Sequence, residues 1–194
     1  IPNSQSCLVD DAERVAAEIG FPVAMKVLDS KIVHKSDVGA VALNLNSRAE
    51  VSTLLAQFRE RLGARRVLIE PMISDVVAEV IVGIKYDATF GHALVVGAGG
   101  ILVELVTDST TILLPTERIS IEKKLGQLKL SRLIEGFRNS KRGDREALLD
   151  AITRLCDFAM AHRNEIVEID INPLLVLEEG KGVVAADAMI RVCR

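Results

Sequence analysis

Apolar and polar positions alternate with two different periods along this chain. At residues 41–45, Val-Ala-Leu-Asn-Leu changes sides at every residue, the pattern of a half-buried strand. A helical period then takes over. Ser47 and Glu50 have the spacing of a capping box, and Gly63 follows the last apolar position of a helix that ends at Leu62. Upstream, Asp10 or Asp11 caps a short helix ending at Gly20, and residues 23–28 read as an apolar strand carrying Lys26. Residues 67–70 form a short strand stopped by Pro71, and residues 78–85 form another, followed by a turn at residues 86–89. A strand at residues 92–96 runs into Gly97-Ala98-Gly99-Gly100, and further strands are expected at residues 101–106 and 110–114. A helical stretch at residues 121–137 is broken at Gly126, and the longest helix opens at Gly143-Asp144 and runs to about Ala161. Three strands close the chain, at residues 165–171, 174–177 and 182–187, the last two joined as a hairpin by a tight turn at residues 178–181.

Strands outnumber helices and the two do not alternate strictly, which predicts an α+β fold over a doubly wound parallel sheet. A length of 194 residues suits one sizeable core or two small lobes. There is no internal repeat or low-complexity tract, and residues 139–143 read as an exposed loop.

Composition narrows the function. Hydrophobic residues make up 49% and charged residues 26%, as in soluble globular proteins, and the net charge of -3 disfavours a nucleic-acid or acidic-membrane partner. One Tyr, five Phe and no Trp make a base-stacking platform a poor expectation. No apolar run has the ~18 residues that span a bilayer, and the first residues show no secretory signal. Cys7, Cys156 and Cys193 form no metal-type pair and fit reduced thiols, so a cytoplasmic location is expected. The chain opens on Ile, which suggests a piece of a longer protein or one subunit of a complex.

Several polar residues interrupt apolar strands, where an unpartnered charge is expensive and a ligand or cleft explains it. Lys26 lies within Pro-Val-Ala-Met-Lys-Val; Glu70 ends Val-Leu-Ile-Glu; Glu79 opens Glu-Val-Ile-Val-Gly; Asp187 closes Val-Val-Ala-Ala-Asp. Glu168, Asp170 and Asn172 alternate and share one strand face. A lysine with several hard oxygen ligands is what a magnesium nucleotide needs, the cation offsetting phosphate charge and one or two carboxylates holding Mg²⁺. The competing reading of each is a solvent-facing residue on a half-exposed strand, and for Asn172-Pro173 a strand-ending turn. Gly97-Ala98-Gly99-Gly100 opens no helix, so it is neither a Rossmann nor a Walker loop; approach of its backbone to phosphate and a tight inter-strand turn both remain open. His34 sits in a polar stretch with Lys31 and Lys35, whose charges suit a phosphorylated imidazole. His92 begins a strand, and His162 ends a helix, where the dipole favours a cation.

The segments Phe-Pro-Val-Ala-Met-Lys-Val, His34-Lys-Ser-Asp-Val-Gly39, Val-Leu-Ile-Glu-Pro-Met72, Ala-Glu-Val-Ile-Val-Gly83, Gly97-Ala-Gly-Gly100 and Glu168-Ile-Asp-Ile-Asn-Pro-Leu174 occur in this order. Together they resemble the ATP-grasp domain of acyl-CoA synthetases that form ADP, and more distantly the β-subunit of succinyl-CoA synthetase. The resemblance runs from about Ile1 to Val192, and the His-Lys-Ser-Asp-Val-Gly and Asp-Ile-Asn-Pro-Leu-Leu segments are its most specific parts.

The resemblance implies an ATP-grasp fold of two α+β lobes enclosing a nucleotide, a small lobe over about 10–70 and a larger one over about 71–192. It implies that Lys26 touches the α- and β-phosphates, that Glu70, Pro71 and Met72 meet the adenine, and that Glu79 reaches the ribose or phosphate side. It implies that Asn172 and Asp187 hold Mg²⁺ and that a phosphoryl group passes through His34. The expected cofactors are ATP (or ADP) and Mg²⁺. The expected reaction of the complete enzyme is acid + CoA + ATP to acyl-CoA + ADP + phosphate. The expected partners are CoA-binding and ligase domains of the same protein or a separate α-subunit, in a higher oligomer, with no nucleic acid and no membrane. Two other readings compete: a catalytically inactive regulatory ATP-grasp domain of a bacterial protein acetyltransferase, disfavoured because Asn172 and Asp187 are both kept, and a carboxylate–amine ligase, disfavoured by the His34–Gly39 segment.

Overall fold

The structure is a computed structural model that describes residues 4–29, 38–100 and 108–193. It divides into two compact units, the first ending at Ile73 and the second beginning at Ser74.

In the first unit, strands β1 (Gln5–Leu8), β2 (Val23–Val27), β3 (Val41–Leu45) and β4 (Arg66–Pro71) form an antiparallel sheet in the order β1-β4-β2-β3. Helices α1 (Ala12–Ile19) and α2 (Arg48–Leu62) supply Val15, Ala16, Val51, Leu55 and Phe58 to a core that takes Val23, Met25 and Val27 from β2. Ser47 caps α2 as expected: its hydroxyl accepts from the Glu50 amide at 3.3 Å, while the Glu50 carboxylate reaches back to the Asn46 amide at 2.9 Å. Gly63, at φ 61°, ends the helix in the left-handed conformation that glycine adopts without a Cβ penalty. The capping expected of Asp10 or Asp11 is not made; these carboxylates pair with Arg59 and Arg14, and a single 3₁₀ turn at Val9–Asp11 leads into α1. Strand β1 has no clear alternation of its own, and its pairing with β4 is what makes it a strand.

In the second unit, strands β5 (Val76–Asp87), β6 (Gly91–Ala98), β7 (Ser109–Leu113), β8 (Ile166–Leu177), β9 (Val183–Ala185) and β10 (Ala188–Val192) form an antiparallel sheet in the order β10-β8-β5-β6-β7, with β9 also on β8. Helices α3 (Arg118–Leu125), α4 (Lys129–Ile134) and α5 (Arg145–Ala161) cover one face of it. Gly126 ends α3 where the sequence predicts a break. Helix α5 buries Leu148, Leu149, Ile152, Cys156 and Ala159, a 3–4 spacing that lays one stripe on Val80, Val82, Ile84, Leu94 and Ile169. Each fully buried Leu or Ile of this stripe contributes at most about 1.5–3 kcal/mol by the area removed from water. Asp144 starts α5 and fastens it to the sheet: one carboxylate oxygen accepts from the Ala147 amide at 3.1 Å and the other from the Gly182 amide at 2.9 Å. Losing this side chain removes a cap and a tether together, at a cost of about 1 kcal/mol for each bond.

The end of the chain departs from expectation. The strands expected at 165–171 and 174–177 are one continuous β8, the strand expected at 182–187 shortens to β9, and after Ala186 and Asp187 a further strand that the sequence did not predict, β10, follows. The reason is a bulge. Val82 faces Ile171 and Val80 faces Leu174, so Asn172 and Pro173 together stand opposite Ile81. Proline suits this place because it has no N–H to offer the ladder. The strand at 101–106 lies outside the described residues.

Candidate nucleotide site

Lys26 and Glu70 are diagonal neighbours on the first sheet. Ala24 faces Glu70 across β2 and β4, and Lys26 is two residues further along the same face, opposite to Val23, Met25 and Val27. Lys26 is 8% exposed and Glu70 3%, so two charges are buried together. Nζ of Lys26 lies 2.6 Å from Oε2 of Glu70, yet the angle is not that of a hydrogen bond, and Oε2 accepts none among the described residues. Oε2 thus keeps unused acceptor capacity, and a buried ammonium is the group that an entering phosphate would recruit. Beyond Glu70, Pro71 faces Val23, and the Met72 amide donates to the Pro22 carbonyl at 3.0 Å. The Met72 N–H is therefore already engaged, and Pro71 has none to give.

The second sheet has one face covered by helices and one face not in its core. Ala78, Val80, Val82 and Ile84 of β5 point to the core, leaving Glu79, Ile81, Gly83 and Lys85 on the other face. Asp170 faces Gly83, and a Cβ on Gly83 would stand 3.9 Å from Asp170 Oδ1, so the carboxylate lies over a residue with no side chain. Glu168 is committed elsewhere: it faces Arg191 of β10 and pairs with its guanidinium at 3.1 Å. Of the three alternating residues 168, 170 and 172, the first is thus held in a structural ion pair.

The bulge brings Asn172 to Asp187. The bend between β9 and β10 lies against it, with the Asn172 amide donating to the Asp187 carbonyl at 3.2 Å and the Ala186 amide to the Pro173 carbonyl at 3.0 Å. Both side chains are exposed, and Asp187 Oδ1 also accepts from the Ala188 amide at 3.1 Å. Among the described residues no cluster of three His, Cys, Asp or Glu side chains is built to hold a metal. One amide oxygen and one carboxylate fit a different arrangement, in which Mg²⁺ keeps most of its shell as water and substrate phosphate.

Glu79 sits under the glycine turn. After Ala98 the chain crosses β5, and the Gly99 amide donates to the Glu79 carbonyl at 2.7 Å. Residues 101–107, which follow Gly100, lie outside the described residues. A pocket of about 280 Å³ in the same unit is lined by Ala98, Asp108, Lys129, Leu130, Leu133 and Phe137. It holds none of the candidate residues; Asp108 there caps α4, accepting from the Lys129 and Leu130 amides at 2.9 and 2.7 Å. His34, with Lys31 and Lys35, lies outside the described residues. The bulge was not expected from the sequence, where the Asn172-Pro173 pair is its local signal.

A family model described as an ATP-grasp domain matches residues 2–192. The chain belongs to the ATP-grasp family. It is 35% identical over 189 residues to the β subunit of acetate–CoA ligase (ADP-forming) II of Pyrococcus furiosus, a match that covers 94% of this chain and 80% of that subunit. It is 40% identical over 183 residues to acetate–CoA ligase (ADP-forming) II of Archaeoglobus fulgidus, covering 94% of this chain and 26% of that protein. This ATP-grasp chain thus spans about a quarter of the length of the Archaeoglobus fulgidus relative and most of the Pyrococcus furiosus subunit. Among solved structures it is similar to PH1788 of Pyrococcus horikoshii, with a TM-score of 0.83 and 31% identity over 97% of this chain and 83% of that one. It is also similar to the dinucleotide-forming acetyl-coenzyme A synthetase 1 of Ca. Korarchaeum cryptofilum in complex with coenzyme A and Mg-AMPPCP, with a TM-score of 0.78 and 33% identity over 100% of this chain and 86% of that one. In that structure a phosphohistidine segment points towards the nucleotide-binding site. The α+β ATP-grasp fold expected from the sequence agrees with these findings.

Proposed function

We propose that this chain is the Mg-ATP-binding and phosphoryl-transfer part of an ADP-forming acyl-CoA synthetase, catalysing acid + CoA + ATP to acyl-CoA + ADP + phosphate together with CoA-binding and ligase domains. The observation that carries this reading is the bulge that sets Asn172 against Asp187, within a chain similar over nearly its whole length to acetate–CoA ligase β subunits. Asn172 and Asp187 offer two oxygens to Mg²⁺, and the neutral amide adds no repulsion to the triphosphate. Bound Mg²⁺ neutralises charge on the phosphate oxygens. Lys26 exchanges part of its attraction to Glu70 for the α- and β-phosphates. The 70–72 segment meets the adenine; since the Met72 amide is taken by Pro22, it serves through carbonyl oxygen, an acceptor for an exocyclic amino group. Glu79 reaches the ribose or phosphate side. His34 accepts the phosphoryl group on an imidazole nitrogen, a role that rests on sequence.

Titration calorimetry of the wild-type chain with ATP, with and without Mg²⁺, tests the reading. Binding that needs Mg²⁺ is expected; no binding of ATP or ADP in the presence of Mg²⁺ overturns it.

A further inference from the structure

The Gly97–Gly100 turn holds three glycines for three different reasons. A Cβ on Gly97 would fall 2.7 Å from Ser109 Cβ and 2.8 Å from the Asp108 carbonyl oxygen, so this position is closed by the neighbouring strand. A Cβ on Gly99 would fall 3.0 Å from the carbonyl carbon of Glu79 and 3.0 Å from the Val80 amide, so this position is closed by the backbone of β5. Gly100 differs. At φ +67° its missing Cβ would fall 2.2 Å from Glu79 Oε2 and 3.1 Å from Glu79 Cδ, and the three nearest heavy atoms all belong to the Glu79 side chain.

The carboxylate of Glu79 therefore occupies the volume that a side chain at position 100 would need. The same turn grips the Glu79 main chain through the 2.7 Å bond from the Gly99 amide. An exposed glutamate on a strand ordinarily spreads over several rotamers. Here its backbone is tied and its head group lies across a bare α-carbon, which holds the carboxylate in one direction before a ligand arrives.

We propose that Gly100 is a positioning residue for nucleotide binding, acting through Glu79: its bare α-carbon is the seat of the Glu79 carboxylate, and any side chain there turns the carboxylate away from the nucleotide. The inference rests on the nucleotide-binding reading and adds to it the residue that sets Glu79. A methyl group at position 100 meets the free end of the flexible Glu79 side chain first, so its effect falls on Glu79 more than on the fold. A methyl at position 99 meets backbone and strains β5 itself.

The test is a thermodynamic cycle on Mg-ATP affinity by calorimetry, with wild type, Gly100→Ala, Glu79→Asp and the pair, each checked by circular dichroism and thermal melting. Aspartate is one methylene shorter and withdraws from the seat. Gly100→Ala is expected to weaken binding about tenfold in the wild-type background and to leave binding unchanged in the Glu79→Asp background. A wild type that binds no nucleotide removes the nucleotide reading and this proposal with it. With wild-type binding intact, unchanged affinity in Gly100→Ala overturns the proposal alone. Equal losses in both backgrounds also overturn it, because they mark strain of the left-handed turn independent of Glu79. Should Gly100→Ala not fold by itself, the pair against its Glu79→Asp parent decides: a pair that folds and binds as the parent does supports the seat, and a pair that does not fold overturns it.

Discussion

Nζ of Lys26 lies 2.6 Å from Oε2 of Glu70, and both side chains are buried on the face of the first sheet turned away from its helices. Each charge makes the other tolerable there, so removing one costs more than the pair itself contributes. Lys26→Ala is expected to lower stability by about 3–5 kcal/mol through the orphaned carboxylate, and to weaken Mg-ATP binding by the loss of a charged contact of about 1.5–3 kcal/mol. Lys26→Met combined with Glu70→Leu should recover stability in urea titration without recovering ATP affinity. Recovery of both would take Lys26 out of the nucleotide site.

Asn172 and Asp187 are exposed, and the hydrogen bond from the Asn172 amide to the Asp187 carbonyl is made by main-chain atoms. Replacing either side chain with alanine should therefore leave the circular dichroism spectrum and the melting temperature nearly unchanged while abolishing the Mg²⁺ dependence of ATP binding. Normal Mg²⁺ stimulation in both variants would reduce Asn172 to a residue of the bulge.

His34 is expected to carry a phosphoryl group when the chain is mixed with the proposed CoA-binding and ligase domains and labelled ATP. The label should be acid-labile and base-stable, and absent from His34→Ala and His34→Asn. Unchanged acyl-CoA synthesis in His34→Ala would end this role and leave Lys31 and Lys35 as phosphate-side charges.

Burial in the α5 stripe pushes the Cys156 thiol up to about 11, with the nearby Asp157 carboxylate adding to the shift. The folded state thus keeps the proton longer than the unfolded chain does. The stability this brings is complete below the unfolded thiol's ordinary value near 9 and is lost as pH rises through about 11. Denaturant titrations at pH 8 and pH 11 should show a steeper fall for wild type than for Cys156→Ala. Parallel falls in the two proteins would mean that other groups carry the alkaline dependence.

Local pattern alone located most elements: the capping box at Ser47, the glycine that ends α2, the break at Gly126 and the stripe of α5 all depend on neighbours within one or two turns. The oddity of Lys26 in an apolar strand and of Glu70 at the end of another was equally visible, because a charge among Val, Met and Ile is costly wherever the chain goes. What those charges do to each other was not visible. Their pairing depends on β2 lying beside β4 in a register that places Ala24 opposite Glu70. The same holds for the bulge that carries Asn172 to Asp187, and for the seat that Gly100 makes for Glu79. Register is a property of two strands at once, and one extra residue in one of them re-aims every side chain that follows. The sequence thus named the residue types of a candidate magnesium-nucleotide site, and the tertiary structure decided which of them meet, because pairing is set by the packing of distant segments over a common core.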